Sequence, residues 1–141
     1  MVGEIRFRFT RYLYKLYWEY FEHGELGEDS IQILTESCDI VNDNINVPLA
    51  YFNVLSSNFT RESMSYFLKV KDMPIIGKYA TNLLVNRLYE AYEITTAFIE
   101  AAEEAIHIFE HSFPLNTEHL NYVLGEVKDN VEQAVNYVAQ L

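Results

Sequence analysis

Apolar side chains recur along this chain at steps of three and four, the spacing that gathers them onto one face of an α-helix. From Gly3 to His23 one set, Ile5, Phe9, Leu13, Leu16 and Tyr20, defines a face, and Phe7, Tyr14, Trp18 and Phe21 define another. A helix that is apolar on two sides needs cover on two sides, so this one is expected to be central to the domain or shared with a partner. Gly24 tolerates the backbone of a helix C-terminus, and the acidic Glu28 and Asp29 suit the start of the next helix. That second helix, about Glu28 to Ile45, carries Ile31, Leu34, Cys38, Val41 and Ile45 and is predicted to fold back on the first. Asn42, Asp43, Asn44 and Asn46 weaken its end, and Pro48 stops it. Between Leu49 and Lys71 the pattern supports one or two short helices, with a break at Ser57-Asn58 and a cap at Thr60.

Pro74 opens a turn or a first helical turn, and a long helix is predicted from about Ile75 to Phe113. Its stripe is Leu84, Leu88, Ala91, Thr95, Phe98, Ala102, Ala105, Phe109 and Phe113, whose small members permit close approach of a neighbour. Unbroken, such a helix reaches roughly 55 Å, so it either bends near Gly77 or projects. Pro114 ends it, and Asn116-Thr117 caps a last helix in which Leu120, Leu124, Val127, Val131, Ala134, Val138 and Leu141 alternate steps of four and three. Packing of this seam on the chain's own long helix is preferred to pairing with a second chain. The expected fold is all-α: an antiparallel helical bundle with one long helix and a C-terminal coiled-coil-like helix. It forms a single domain over 1–141, with N-terminal helices in 1–73 and a long helical hairpin in 74–141.

At 141 residues, half of them apolar, the chain is long enough to bury a core without metal or disulfide. Its net charge of −11 is unevenly spread. Arg6, Arg8, Arg11 and Lys15 lie in the first helix, whereas after Arg87 only Lys128 is basic. The acidic second half would repel phosphate backbones and anionic lipid heads, which argues against nucleic acid as a partner. Cys38 is the single cysteine, so no internal disulfide is possible, and its place on an apolar stripe predicts a buried structural thiol. No apolar run is long enough for a direct membrane span.

The best metal candidate lies on the long helix, where Glu104 and His107 make the Glu-x-x-His spacing of di-iron bundles and His111 stands one turn further on. A second such motif and the bridging carboxylates are missing from the other helices, so an exposed polar face is preferred and no cofactor is expected. Cys38 is surrounded in sequence by Glu36, Asp39 and Asp43, whose charges raise a thiol pKa and make it a poor nucleophile. No glycine-rich phosphate loop, Gly-x-Ser-x-Gly elbow or paired-cysteine motif is present, so no enzyme activity is expected. The basic and aromatic stretch Tyr12 to Phe21 has the make-up of an interfacial membrane helix, but aromatics on both faces and the acidic Glu19 and Glu22 favour core packing.

One pattern is more specific. Tyr17-Trp18, Gly24-Glu25-Leu26, Leu34, the run Ser37-Cys38-Asp39-Ile40-Val41-Asn42-Asp43 and Pro48-Leu49 follow one another in a fixed order. Together they resemble the cytosolic region that follows the membrane domain in plant salt-tolerance-type and sperm-type Na⁺/H⁺ exchangers. A second block, Arg87-Leu88, Ala91, Ile94, Ala97-Phe98, Ala101 and Ala105, is similar to that family's later helix, and the two blocks cover about two-thirds of the chain. Phe52 stands where the plant-type proteins tend to carry Trp, and Glu100, Glu103 and Glu104 replace a more basic helix surface.

The resemblance implies a helical, non-catalytic module on the cytoplasmic face of a membrane. Its expected partners are the transport domain of the same polypeptide and a second copy, as a homodimer. The expected interface elements are Tyr14, Trp18 and Phe21 on the first helix and the terminal seam at Leu120, Leu124, Val127, Val131 and Val138. Two other readings remain open: a four-helix metal-binding protein using Glu104, His107 and His111, and a free-standing scaffold subunit.

Overall fold

The computed structural model describes residues 1–58, 76–112 and 118–141, with side chains of the long helix described from position 85 onward. Five helices lie within them: α1 (Val2–Glu22), α2 (Glu28–Asp43), α3 (Tyr51–Ser56), α4 (Ile76–Ser112) and α5 (Glu118–Gln140). Among the described residues there is no strand, so the chain is all-α as expected. The Thr60 cap, Pro74, the Leu84 side chain, Phe113, Pro114 and the Asn116-Thr117 cap lie outside the described residues.

Helix α1 ends where the sequence says it should. Gly24 takes φ +76°, its N–H bonds to the Phe21 carbonyl, and the Glu25 N–H reaches back to the Tyr20 carbonyl. This pair of bonds satisfies carbonyls that the helix end would otherwise leave open, and only glycine adopts the required backbone without strain. The turn seats Leu26 in the core, and α2 begins at once. The Gly27 N–H donates to the Glu93 carboxylate at 3.0 Å, tying the turn to α4.

One core collects residues from all five helices. α1 packs against α2, α4 and α5, with Ile5, Phe9, Leu13, Leu16 and Tyr17 turned inward. A chain of aromatic contacts crosses the core: Phe9 meets Phe109 edge-on with ring centroids 5.1 Å apart, and Tyr51 lies 6.3 Å from Phe9 and 5.8 Å from Phe98. On α4 the fully buried Ala101, Ala102 and Ala105 let neighbouring helices come close. Val85 to Glu90 are exposed or half-buried, and the buried run of α4 starts at Ala91.

Three assignments shift. Leu141, the last member of the terminal seam, lies beyond the end of α5 and is 47% exposed. Tyr20, placed on the inner stripe by spacing, is half-buried with its hydroxyl donating to Glu104, while Tyr17 is fully buried in its stead. Ile45 lies beyond the end of α2, whose last residue is Asp43.

A candidate interaction surface on the first helix

The inner and outer halves of α1 differ in kind. Inward, the helix presents a polar fixture at its N-terminal end. Arg6, 5% exposed, donates Nε to Glu126 Oε1 at 3.0 Å, Nη2 to Glu126 Oε2 at 2.7 Å, and Nη1 to the Ile45 carbonyl at 3.2 Å. The Glu126 hydrogen bond, opposed in part by desolvation, raises the guanidinium above its ordinary pKa. One turn on, the Thr10 hydroxyl donates to the Arg6 carbonyl, so the Tyr51 hydroxyl that meets Thr10 is the donor of that contact. Asn130 completes the fixture: its Nδ2 donates to the carbonyls of Leu49 and Glu126, and its Oδ1 accepts the Phe52 N–H. These bonds hold the α2–α3 connection against α5 and fix the rotation of α1.

With the rotation fixed, the second aromatic set faces outward. Phe7, Tyr14 and Trp18 are exposed and Phe21 is half-buried. Trp18 sits edge-on between Tyr14 and Phe21, with centroids 6.4 and 5.7 Å away. The Arg11 guanidinium lies over the Phe7 ring at 5.7 Å, and the Lys15 ammonium over Tyr12 at 5.8 Å. Arg8, Arg11, Tyr12, Tyr14 and Lys15 line a shallow depression beside the stripe. Contiguous exposed aromatics make this face a candidate contact surface, whereas single scattered ones would need no account. The chemistry on offer is burial of ring area, cation–π contact and pairing with the basic side chains Arg8, Arg11 and Lys15.

The other residues picked out from sequence separate clearly. Leu120, Leu124 and Val127 are buried in the chain's own core, Val131 packs on that core, and Val138 is half-buried. The seam therefore covers the chain's own helices at Leu120, Leu124 and Val127, as its packing on the long helix was expected to do. On α4, His107 and His111 stack with ring centroids 4.2 Å apart on the exposed surface, while Glu104 turns to the Tyr20 hydroxyl at 3.2 Å. Among the described residues no three histidine, cysteine or carboxylate side chains converge as a metal site would need. Burial foremost, with the charge of Asp39 adding to it, pushes the Cys38 thiol up to about 12.

Sequence reasoning left open that the basic first helix pairs internally with the acidic second half, but did not single out Arg6, Glu126 or Asn130 as the residues that do so. A signal existed: Arg6, Thr10, Leu13 and Tyr17 fall at four- and three-residue steps, as do Leu120, Val123, Val127, Asn130 and Ala134.

Comparison with known proteins places these features in context. No family model matches the chain. Over 112 residues, 77% of the chain, it is 30% identical to sodium/hydrogen exchanger 8 of Arabidopsis thaliana. Over 98 residues, 70% of the chain, it is 31% identical to sodium/hydrogen exchanger 7 of the same plant. The chain spans 15% and 8% of the lengths of these two relatives. The similarity supports a relation to cation/proton antiporters, and among the described residues no helix is long and apolar enough to cross a membrane.

Proposed function

We propose that this chain is a non-catalytic helical module of a sodium/proton exchanger, lying on the cytoplasmic side of the membrane and working by contact with other protein. It docks on the exchanger's transport domain, associates with a second copy, and so links events in the cytosol to the transporting core. The observation that carries this reading is similarity to two sodium/hydrogen exchangers over 77% and 70% of the chain. What supports it physically is the division of labour in α1: a core-facing half locked by the Arg6 fixture and an outer half left with exposed aromatics. The ion-carrying step belongs to membrane helices, and this module supplies none of it.

The reading is tested in proteoliposomes that hold an exchanger whose matching region has been deleted. Added chain is expected to bind with micromolar affinity and to change the rate at which sodium collapses a pH gradient. Absence of both binding and rate change would refute it.

A further inference from the structure

The exposed charges of α1 are ordered along the helix. At about 3.6 residues per turn the aromatic stripe occupies one side of the outer face and the charged residues the other. Read from the N-terminus, the charged side runs Glu4, Arg8, Arg11, Lys15, Glu19, Glu22, so its middle is basic and its C-terminal end acidic. Its ion pairs within the chain are exposed ones, Arg8 with Glu4 at 2.7 Å and Lys15 with Glu19 at 3.8 Å, whereas Arg11 lies over Phe7.

We infer that this face pairs with the same face of a second copy, the two α1 helices running antiparallel about a two-fold axis. The inference rests on the self-association reading above and supplies its geometry. A two-fold axis perpendicular to both helices keeps like stripes together, so rings meet rings and charges meet charges, with the chain direction reversed. Centred on Lys15, the reversal sets Arg11 opposite the partner's Glu19 and Arg8 opposite the partner's Glu22, each twice, and brings Lys15 beside the partner's Lys15, each ammonium facing the Glu19 of its own helix at 3.8 Å. A parallel two-fold would instead set the aromatic stripe against the charged one. On this face the general repulsion between two chains of net charge −11 is locally absent, because its three basic and three acidic residues cancel. A helix of 21 residues is roughly 31 Å long, and a strip about 10 Å wide is well below the ~800 Å² per partner of a standard interface, which makes the pairing weak and transient.

Sedimentation equilibrium of the whole chain at low salt, over about 1–200 µM, tests the geometry with Arg11→Glu and Glu19→Arg. The unaltered chain is expected to dimerise. Each variant, with its helix content intact by circular dichroism, is expected to lose at least tenfold in self-association. Mixed together the two variants are expected to pair at least as tightly as the unaltered chain, because both cross-helix pairs are then complementary. That rescue separates interface charge from misfolding. An unaltered chain that stays monomeric, variants that dimerise undiminished, or a mixture that does not pair overturns the inference. Undiminished dimers would leave the exchanger reading standing, since that reading is decided by the proteoliposome assay.

Discussion

Glu126→Gln removes one charge from the pair that joins α1 to α5 and keeps the side chain's size. The two side chains are 6% and 11% exposed, so the remaining guanidinium sits out of water, and arginine cannot escape by losing its proton. Two charge-assisted hydrogen bonds are weakened at once, and the Leu49 N–H that reaches Glu126 Oε1 at 3.4 Å loses a charged acceptor. Breaking one side of a buried pair costs about 3–5 kcal/mol, and the surviving amide oxygen puts this case near ~3. For 141 residues, at about 2.1 cal/mol/K of unfolding entropy each, 3 kcal/mol lowers Tm by about 10 °C. Urea unfolding followed at 222 nm gives the free energy directly, and the slope should be unchanged because the core is intact. A second variant, Arg6→Met with Glu126→Leu, replaces both charges by apolar groups. It is expected to recover at least half of the loss, the remainder reflecting the Ile45 carbonyl and Leu49 N–H left without partners. A loss under about 1 kcal/mol in the single variant, or a double variant less stable than the single, would refute the claim that this pair is a buried fixture.

The acids of the core set an alkaline limit. Cys38 at about 12, against an ordinary 9.0, holds its proton more tightly folded than unfolded. Its contribution is therefore complete below pH 9.0 and lost as pH rises towards about 12. Tyr17, Tyr20, Tyr51 and Tyr137 are raised foremost by burial and act in the same direction. Stability measured by denaturant titration should be level up to about pH 8.5 and fall above it, with Cys38 unreactive to a thiol reagent until the chain unfolds. Rising stability in that range would contradict the burial of these groups. Asn130→Ala strips partners from the Leu49 carbonyl and the Phe52 N–H and should cost about 2–4 kcal/mol. Amide exchange at Phe52 would accelerate with it, and unchanged protection there would count against the bond.

The helices were legible because each has to hide an apolar stripe, and steps of three and four are the only local trace such hiding leaves. Spacing alone did not separate neighbours on the rim of a stripe. Tyr17 lies four residues from Leu13 and Tyr20 four from Leu16, and only the position of α4, with Glu104 ready for the Tyr20 hydroxyl, decides between them. Periodicity is equally silent about which surface covers a stripe. The seam of α5 reads the same whether its cover is α4 or another chain, and the burial of Leu120, Leu124 and Val127 decides for the interior. Arg6 escaped notice for a different reason. Its place on the inner stripe was readable from Thr10, Leu13 and Tyr17, but its partner lies 120 residues away, and no local pattern names that partner. The outer aromatics of α1 were found as a set because they too keep helical spacing, and the structure leaves that second face uncovered by the chain's own helices.

Trp18 is the single tryptophan and lies at the centre of that surface, 39% exposed, so its emission reports the state of the outer face of α1 alone. Fluorescence of the chain titrated through the concentrations at which it self-associates should move to shorter wavelength, with quenching by iodide falling in step. Emission that stays at its dilute position while sedimentation shows a dimer would mean that the contact lies elsewhere, and would contradict the assignment of this face.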